Sequence, residues 1–162
     1  MGGGKRARAP GTEGVRALVA LGSNLGDRRS SLEAGLAALA GLGRVTPSPL
    51  WPETPDESGV GPDYLNTVAL LETPGDDPRI LLEALLRAEL RLGRDRSLGR
   101  NAPRILDLDL VAVEGTRGSW RWPAPPDLLA LGPELNLELP HPRARRRPFV
   151  MEPARALGVG FV

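Results

Sequence analysis

The chain has 162 residues, 41% hydrophobic and 25% charged, with a formal net charge of +1. This balance suits one domain with a real core and offers no global basic field for nucleic acid or an anionic membrane. Zero cysteines exclude disulfides, thiolate nucleophiles and cysteine-bound zinc, and a single histidine, His141, excludes histidine-rich metal centres, so any metal must be held by oxygen.

Residues 1–13 form a Gly- and Arg-rich leader that reads as disordered and contains the only lysine, Lys5. A P-loop or Schiff-base lysine is therefore missing from the remainder, residues 14–162, which reads as one domain. Residues 15–21 (V-R-A-L-V-A-L) are an apolar first strand, too short for a membrane span or a signal segment, so a cytoplasmic protein is expected. A helix is expected over 27–42, capped by Asp27 or Ser30, with Leu32, Leu36 and Leu39 at helical spacing to meet a sheet. A strand over 45–51 runs into a Pro- and Gly-rich loop (52–63), and a third strand follows over 64–72. Asp77 and Pro78 open a second helix that Gly93 ends.

An Arg-rich loop (94–104) leads to a strand carrying Asp107-Leu108-Asp109, giving the order β-α-β-β-α-β of a ferredoxin-like α+β sandwich with an additional C-terminal segment. Beyond it, residues 119–122 read as one strand of a hairpin, with Trp120 and Trp122 on one face packing against the domain's flank. Residues 123–139 read as loop with a helical turn over 127–131.

The acid pair carries the most chemistry. Successive strand side chains alternate, so Asp107 and Asp109 share one face while Leu106, Leu108 and Leu110 share the other and enter a core. Two like charges on one strand face repel, and Asp is a poor strand former. A hard cation such as Mg²⁺ between them relieves both costs, against the plainer reading of a solvated strand face.

Glu89 shares a helix face with Leu82, Leu85, Leu86 and Leu92, where a charge requires a partner. Arg94, Arg96, Arg100 and Arg104 lie just before the acids and either neutralise them or hold phosphate oxygens. Tyr64 and Asn66 fall on one strand face, an aromatic and an amide that suit a flat heterocycle, and residues 139–149 hold His141, Arg147 and Phe149 in a basic cluster.

Several ordered motifs together resemble one family. They are Leu21-Gly22-Ser23-Asn24-Leu25-Gly26-Asp27, Pro62-Asp63-Tyr64-Leu65-Asn66, Glu89 with Gly93-Arg94, the run from Arg100 to Leu110 with Pro103-Arg104 before the acids, and Leu139-Pro140-His141-Pro142 with Arg147 and Phe149. The pattern is similar to 6-hydroxymethyl-7,8-dihydropterin pyrophosphokinases, which move a diphosphate from ATP to a pterin alcohol. The resemblance implies Asp107 and Asp109 as ligands of two Mg²⁺ ions, with Arg94 and Arg104 joining them in catalysis. It implies Thr54, Pro55, Tyr64, Asn66 and Phe149 at the pterin, and Glu89, Arg94, Arg96, Arg104, His141 and Arg147 at ATP. A stand-alone monomer acting on two small molecules, with neither nucleic acid nor membrane as partner, is the expectation.

Two features depart from the family pattern. Asn101 stands where some relatives carry an aromatic, and Trp51-Pro52-Glu53-Thr54-Pro55 carries one inserted residue. A ferredoxin-like RNA-binding module is disfavoured by an aromatic content of only 4% and by a bare acid pair that would repel phosphate. A Mg²⁺-dependent nucleotide phosphohydrolase is the other alternative; it would release phosphate without a pterin.

Overall fold

A computed structural model describes residues 14–93 and 106–162. The leader (1–13) and the Arg-rich loop with Arg94, Arg96, Arg100, Asn101 and Arg104 lie outside the described residues. The architecture is α+β. One sheet is built from β1 (Val15–Ser23), β2 (Arg44–Pro47), β3 (Glu53–Thr54), β4 (Tyr64–Thr73) and β5 (Asp107–Val113), with the path β2-β4-β1-β5 and β3 also on β4. Every pairing is antiparallel. The crossovers α1 (Arg28–Ala40) and α2 (Pro78–Gly93) each skip one strand position, which puts β1 and β4 in the centre.

Local chemistry sets these elements. Asp27, not Ser30, caps α1, its carboxylate accepting the Ser30 N–H at 3.0 Å. That bond and the Ser30 side chain hold the Asp27 carboxyl below the usual carboxylate range. Asp77 does the same for α2, accepting the Arg79 N–H at 2.9 Å just before Pro78. The apolar stripe lands as expected, with Leu32 and Leu39 fully buried and Leu36 packed against the core.

Gly35 lets α1 approach the sheet, because a Cβ there would stand 2.9 Å from Leu21 Cδ2 and 3.0 Å from Leu106 Cδ2. Gly35→Val is expected to cost about 1–3 kcal/mol by overpacking this contact. The loss should appear as a lower urea midpoint with an unchanged slope; an unchanged midpoint would mean that α1 shifts freely.

The sheet is covered on both faces. On one side β1, β4 and β5 send Val19, Leu21, Leu71, Leu108 and Leu110 under α1 and α2, around Leu32 and Leu85. On the other, Leu18, Val68, Leu70 and Val111 pack under α3 (Pro148–Ala156) and the chain's last residues. The end of β5 serves both cores through a bulge: Leu18 pairs with Ala112 and Val19 with Leu110, so Val111 is the extra residue. Both Val111 and Ala112 therefore enter the core under α3.

Three expectations need correction. The strand expected over 45–51 stops at Pro47, and the chain rejoins the sheet only at Glu53–Thr54, because Pro47, Pro49 and Pro52 bring no N–H to a ladder. Residues 134–139, expected as loop, are β7 (Glu134–Leu139), which pairs with β6 (Gly118–Pro123). The E-L-N-L-E-L alternation of exposed and buried residues is a strand signal that the flanking prolines obscured. The C-terminal segment contains a helix, α3, that was not expected.

The tryptophans of β6 pack against the main core as expected, and Trp122 Nε1 donates to Glu83 on α2 at 2.9 Å. Arg87 of α2 adds a two-pronged bond to Asp127, at 2.6 and 3.1 Å, so the β6–β7 ribbon is fastened to α2 at two points. No helix among the described residues is long and apolar enough to cross a membrane.

Candidate active site

The acids lie on the face of the sheet that α3 packs against, next to Ala20 and Gly22 of β1. Gly22 of β1 pairs with Asp107 on one side and Asn66 on the other, and Ala20 pairs with Asp109. A row Asp107–Gly22–Asn66 thus crosses three strands with nothing tall in its middle. A Cβ on Gly22 would meet Asn66 Oδ1 at 3.3 Å and Tyr64 Cδ1 at 3.5 Å, so glycine here is the floor of a cavity.

That cavity, of about 220 Å³, is lined by Gly22, Thr54, Pro55, Tyr64, Asn66, Asp107, Asp109, Arg147 and Phe149 among others. All five residues expected at the pterin are in it, together with both acids. Tyr64 opens β4 and Phe149 sits in the first turn of α3, so two aromatic rings come to one cavity from segments distant in the chain. The Tyr64 phenol is pushed up by burial first, and then by the charge of Asp107, which it also hydrogen-bonds.

Asn66, 6% exposed, has a defined orientation. Its Nδ2 donates to the Pro52 carbonyl at 3.2 Å and to Thr54 Oγ1 at 3.0 Å, and its backbone N–H donates to the same Pro52 carbonyl at 2.9 Å. A proline carbonyl only accepts, which fixes which end of the amide is nitrogen. Oδ1 is left facing the cavity as an acceptor beside Gly22.

A second cleft, of about 550 Å³, opens on the other side of Asp109. Leu82 of α2, Leu110, Trp120, Arg121, Asn136, Glu138 and His141 border it. His141 is anchored twice: its N–H donates to the Val111 carbonyl at 2.6 Å, and its Nδ1 accepts the Arg143 N–H at 3.1 Å. The second bond leaves the proton on Nε2. Burial lowers its pKa most, Asp109 opposes that, and Arg147 and Arg143 add to it, so the ring stays neutral near pH 7.

Glu89 is 7% exposed on α2 and is not among the described residues that line either cavity. Arg94, Arg96 and Arg104 lie outside the described residues. Sequence reasoning missed Gly22 as a floor residue, Asp56 and Glu57 as cavity wall, and Arg121 and Asn136 of the ribbon. Gly22 had a signal, a glycine one residue after an apolar strand run; the others had none, since their placement depends on strand register and loop path.

The fold and site define a class: an α+β domain whose antiparallel sheet presents a carboxylate pair between an aromatic-walled cavity and a larger polar cleft. Residues 18–158 match the model of the 7,8-dihydro-6-hydroxymethylpterin-pyrophosphokinase (HPPK) family. The 2-amino-4-hydroxy-6-hydroxymethyldihydropteridine pyrophosphokinase of Methylorubrum extorquens is 34% identical over 156 residues, covering 91% of this chain and 85% of its own. The protein of the same name from Pseudomonas aeruginosa is 37% identical over 141 residues, covering 85% and 77%. Among solved structures, an HPPK-DHPS triple mutant of Plasmodium falciparum shares the fold with a TM-score of 0.60 at 14% identity, across 89% of this chain and 40% of that longer one. The chain belongs to the HPPK family.

Proposed function

We propose that this protein transfers a diphosphate group from ATP to the hydroxymethyl oxygen of 6-hydroxymethyl-7,8-dihydropterin, releasing AMP, as a step of folate biosynthesis. The observation that carries the reading is that Asp109 is the one described residue lining both cavities, with Asp107 beside it in the smaller. A two-substrate transfer needs one charged centre reached from both sides. The smaller cavity has aromatic walls and an amide acceptor for a flat heterocycle. The larger cleft, with Arg121 and a neutral His141 whose Nε2–H is a donor, suits a nucleotide.

The donor set fits magnesium. Asp107 and Asp109 are hard oxygen ligands on one face with only Ala20 and Gly22 across from them, and no group of three ligating side chains competes for the ion among the described residues. Mg²⁺ is commonly held by one or two carboxylates plus substrate phosphates, and this pair would hold two such ions. Once bound, magnesium would neutralise phosphate charge and acidify the pterin alcohol.

The chain's own residues do the remaining work. Tyr64 and Phe149 flank the pterin ring, Asn66 Oδ1 accepts from an N–H on its edge, and Thr54 and Pro55 close the far side. The family pattern assigns Glu89, Arg94, Arg96, Arg104, His141 and Arg147 to the nucleotide, with His141 bordering the cleft and Arg147 the smaller cavity beside Asp109, and Arg94 and Arg104 to charge on the transferred group. Positioning of this kind lets the alcohol rather than water react. The enzyme works as a monomer on these two small molecules.

The test is to supply Mg²⁺ and ATP with and without the pterin and resolve the products. AMP that appears only with the pterin is the expected result. ADP would mean single phosphoryl transfer, and phosphate released without the pterin would mean a hydrolase; either overturns the proposal.

A further inference from the structure

The cavity wall contains an ion pair in which one partner, Glu57, has no part in the proposed reaction. Arg147 Nη2 donates to Glu57 Oε1 at 2.8 Å. Arg147 comes from the residue before α3, is 18% exposed, and lies 5.7 Å from the centre of the Phe149 ring. Glu57, 66% exposed, comes from the loop between β3 and β4, so the pair joins two segments ninety residues apart across the cavity.

The loop is knitted together by its own hydrogen bonds. Asp56 Oδ1 accepts the Ser58 N–H and Oδ2 the Gly61 N–H, each at 3.1 Å, while the Asp56 carbonyl accepts the Gly59 N–H at 2.8 Å. Its far end is tied to the start of α1, where Asn24 Nδ2 and Arg28 Nη1 donate to the carbonyls of Pro62 and Asp63 at 3.3 and 3.0 Å. Glu57 is the side chain of this knot that reaches the C-terminal segment.

We infer that Glu57 is a stand-in for phosphate: its carboxylate occupies Arg147 in the substrate-free protein, and an arriving nucleotide displaces it and unfastens the 56–61 knot from α3. This rests on the reading that Arg147 binds ATP phosphate. A carboxylate and a phosphate both offer anionic oxygen acceptors to a guanidinium, but a triphosphate brings more charge. Glu57 is mostly solvated, so its hold on Arg147 is weak enough to be exchanged, and its release returns it to water without a buried charge. By linkage, whatever strengthens the Glu57–Arg147 pair must weaken nucleotide binding by the same factor.

Calorimetry with a non-hydrolysable ATP analogue and Mg²⁺ tests this in a two-by-two set of variants. Glu57→Gln is expected to bind the analogue about two- to fivefold tighter, the range of an exposed pair. Arg147→Ala should bind it more weakly, and Glu57→Gln should then add nothing. Weaker or unchanged binding by Glu57→Gln, with Arg147→Ala still impaired, overturns the stand-in while leaving Arg147 at the nucleotide. A gain that persists without Arg147 also overturns it, because general charge would then be the cause. Normal binding by Arg147→Ala overturns the reading beneath it.

Because the chain has no cysteine, spin labels can be placed cleanly at Val60→Cys and Arg155→Cys, both exposed. The analogue should broaden their distance distribution in the otherwise wild-type chain, and Glu57→Gln should show the broad form before any ligand is added. A distribution unmoved by the analogue overturns the release.

Discussion

Asp109→Asn is expected to lower turnover on the order of 10³-fold, the loss typical when a group that stabilises transition-state charge is removed, while leaving thermal unfolding unchanged or raising it slightly. The two halves have one cause. Asp109 is exposed and shares a strand face with Asp107, so in the ligand-free protein like charges stand two residues apart and Asp109 adds nothing to the core. Removing one charge relieves their repulsion. The leucines that hold the strand, Leu108 at 2% and Leu110 at 3% exposure, point the other way and do not sense the change. The same residue lines both clefts, so its loss should be felt by both proposed substrates. Asp107→Asn should lose turnover comparably and also remove the Asp107 charge from the causes that raise the Tyr64 phenol, leaving the larger effect of burial in place. Calorimetry of Mg²⁺ with the ATP analogue, beside a melting curve, checks both variants. Near-normal turnover in either would remove the acids from the chemistry, and a collapse in melting temperature would make them structural.

Asn66→Ala is expected to weaken pterin binding on the order of 10- to 100-fold, the cost of leaving a buried polar partner unmet, with the affinity for the ATP analogue within about twofold of wild type. Asn66 Oδ1 faces the smaller cavity, while the amide nitrogen pins Pro52 and Thr54. Two effects are therefore mixed in one variant, and Thr54→Val separates them: it removes one loop bond and keeps the acceptor, so it should lose far less. If Asn66→Ala reduced nucleotide affinity more than pterin affinity, the assignment of the two cavities would be reversed.

Much of this was legible in the sequence because it is local. Asp27 and Asp77 announce helix starts by side chain-to-backbone bonds within three residues. Alternation along Asp107-Leu108-Asp109-Leu110 predicts which side chains face a core, and the leucines are found there. The two aromatics at the smaller cavity were named from motifs, but their meeting there is a product of the fold. Tyr64 and Phe149 come together only because α3 crosses the face that the first two helices leave bare, and nothing near Phe149 states where that helix will dock. β7 had a readable pattern, yet Pro133 and Pro140 beside it read as loop; the ribbon forms because Leu135, Leu137 and Leu139 find a core under α2. The walls of the larger cleft were missed for the same reason. They belong to α2, β5 and the ribbon, and their proximity is set by Trp122–Glu83 and Arg87–Asp127, contacts that span about forty residues.

The bulge at Val111 makes two parts of the site separable by a single deletion. A bulge residue drops out of the ladder, and here its carbonyl is the one that takes the His141 N–H. Shortening the strand by Val111 would restore continuous pairing between Leu18–Ala112 and Val19–Leu110, leaving both carboxylates and their leucines in register, while the histidine loses one of its two anchors. If the proposed roles hold, such a chain would keep Asp107 and Asp109 in place for metal and handle nucleotide poorly, a phenotype that no substitution of His141 itself could produce without also changing the chemistry of the ring.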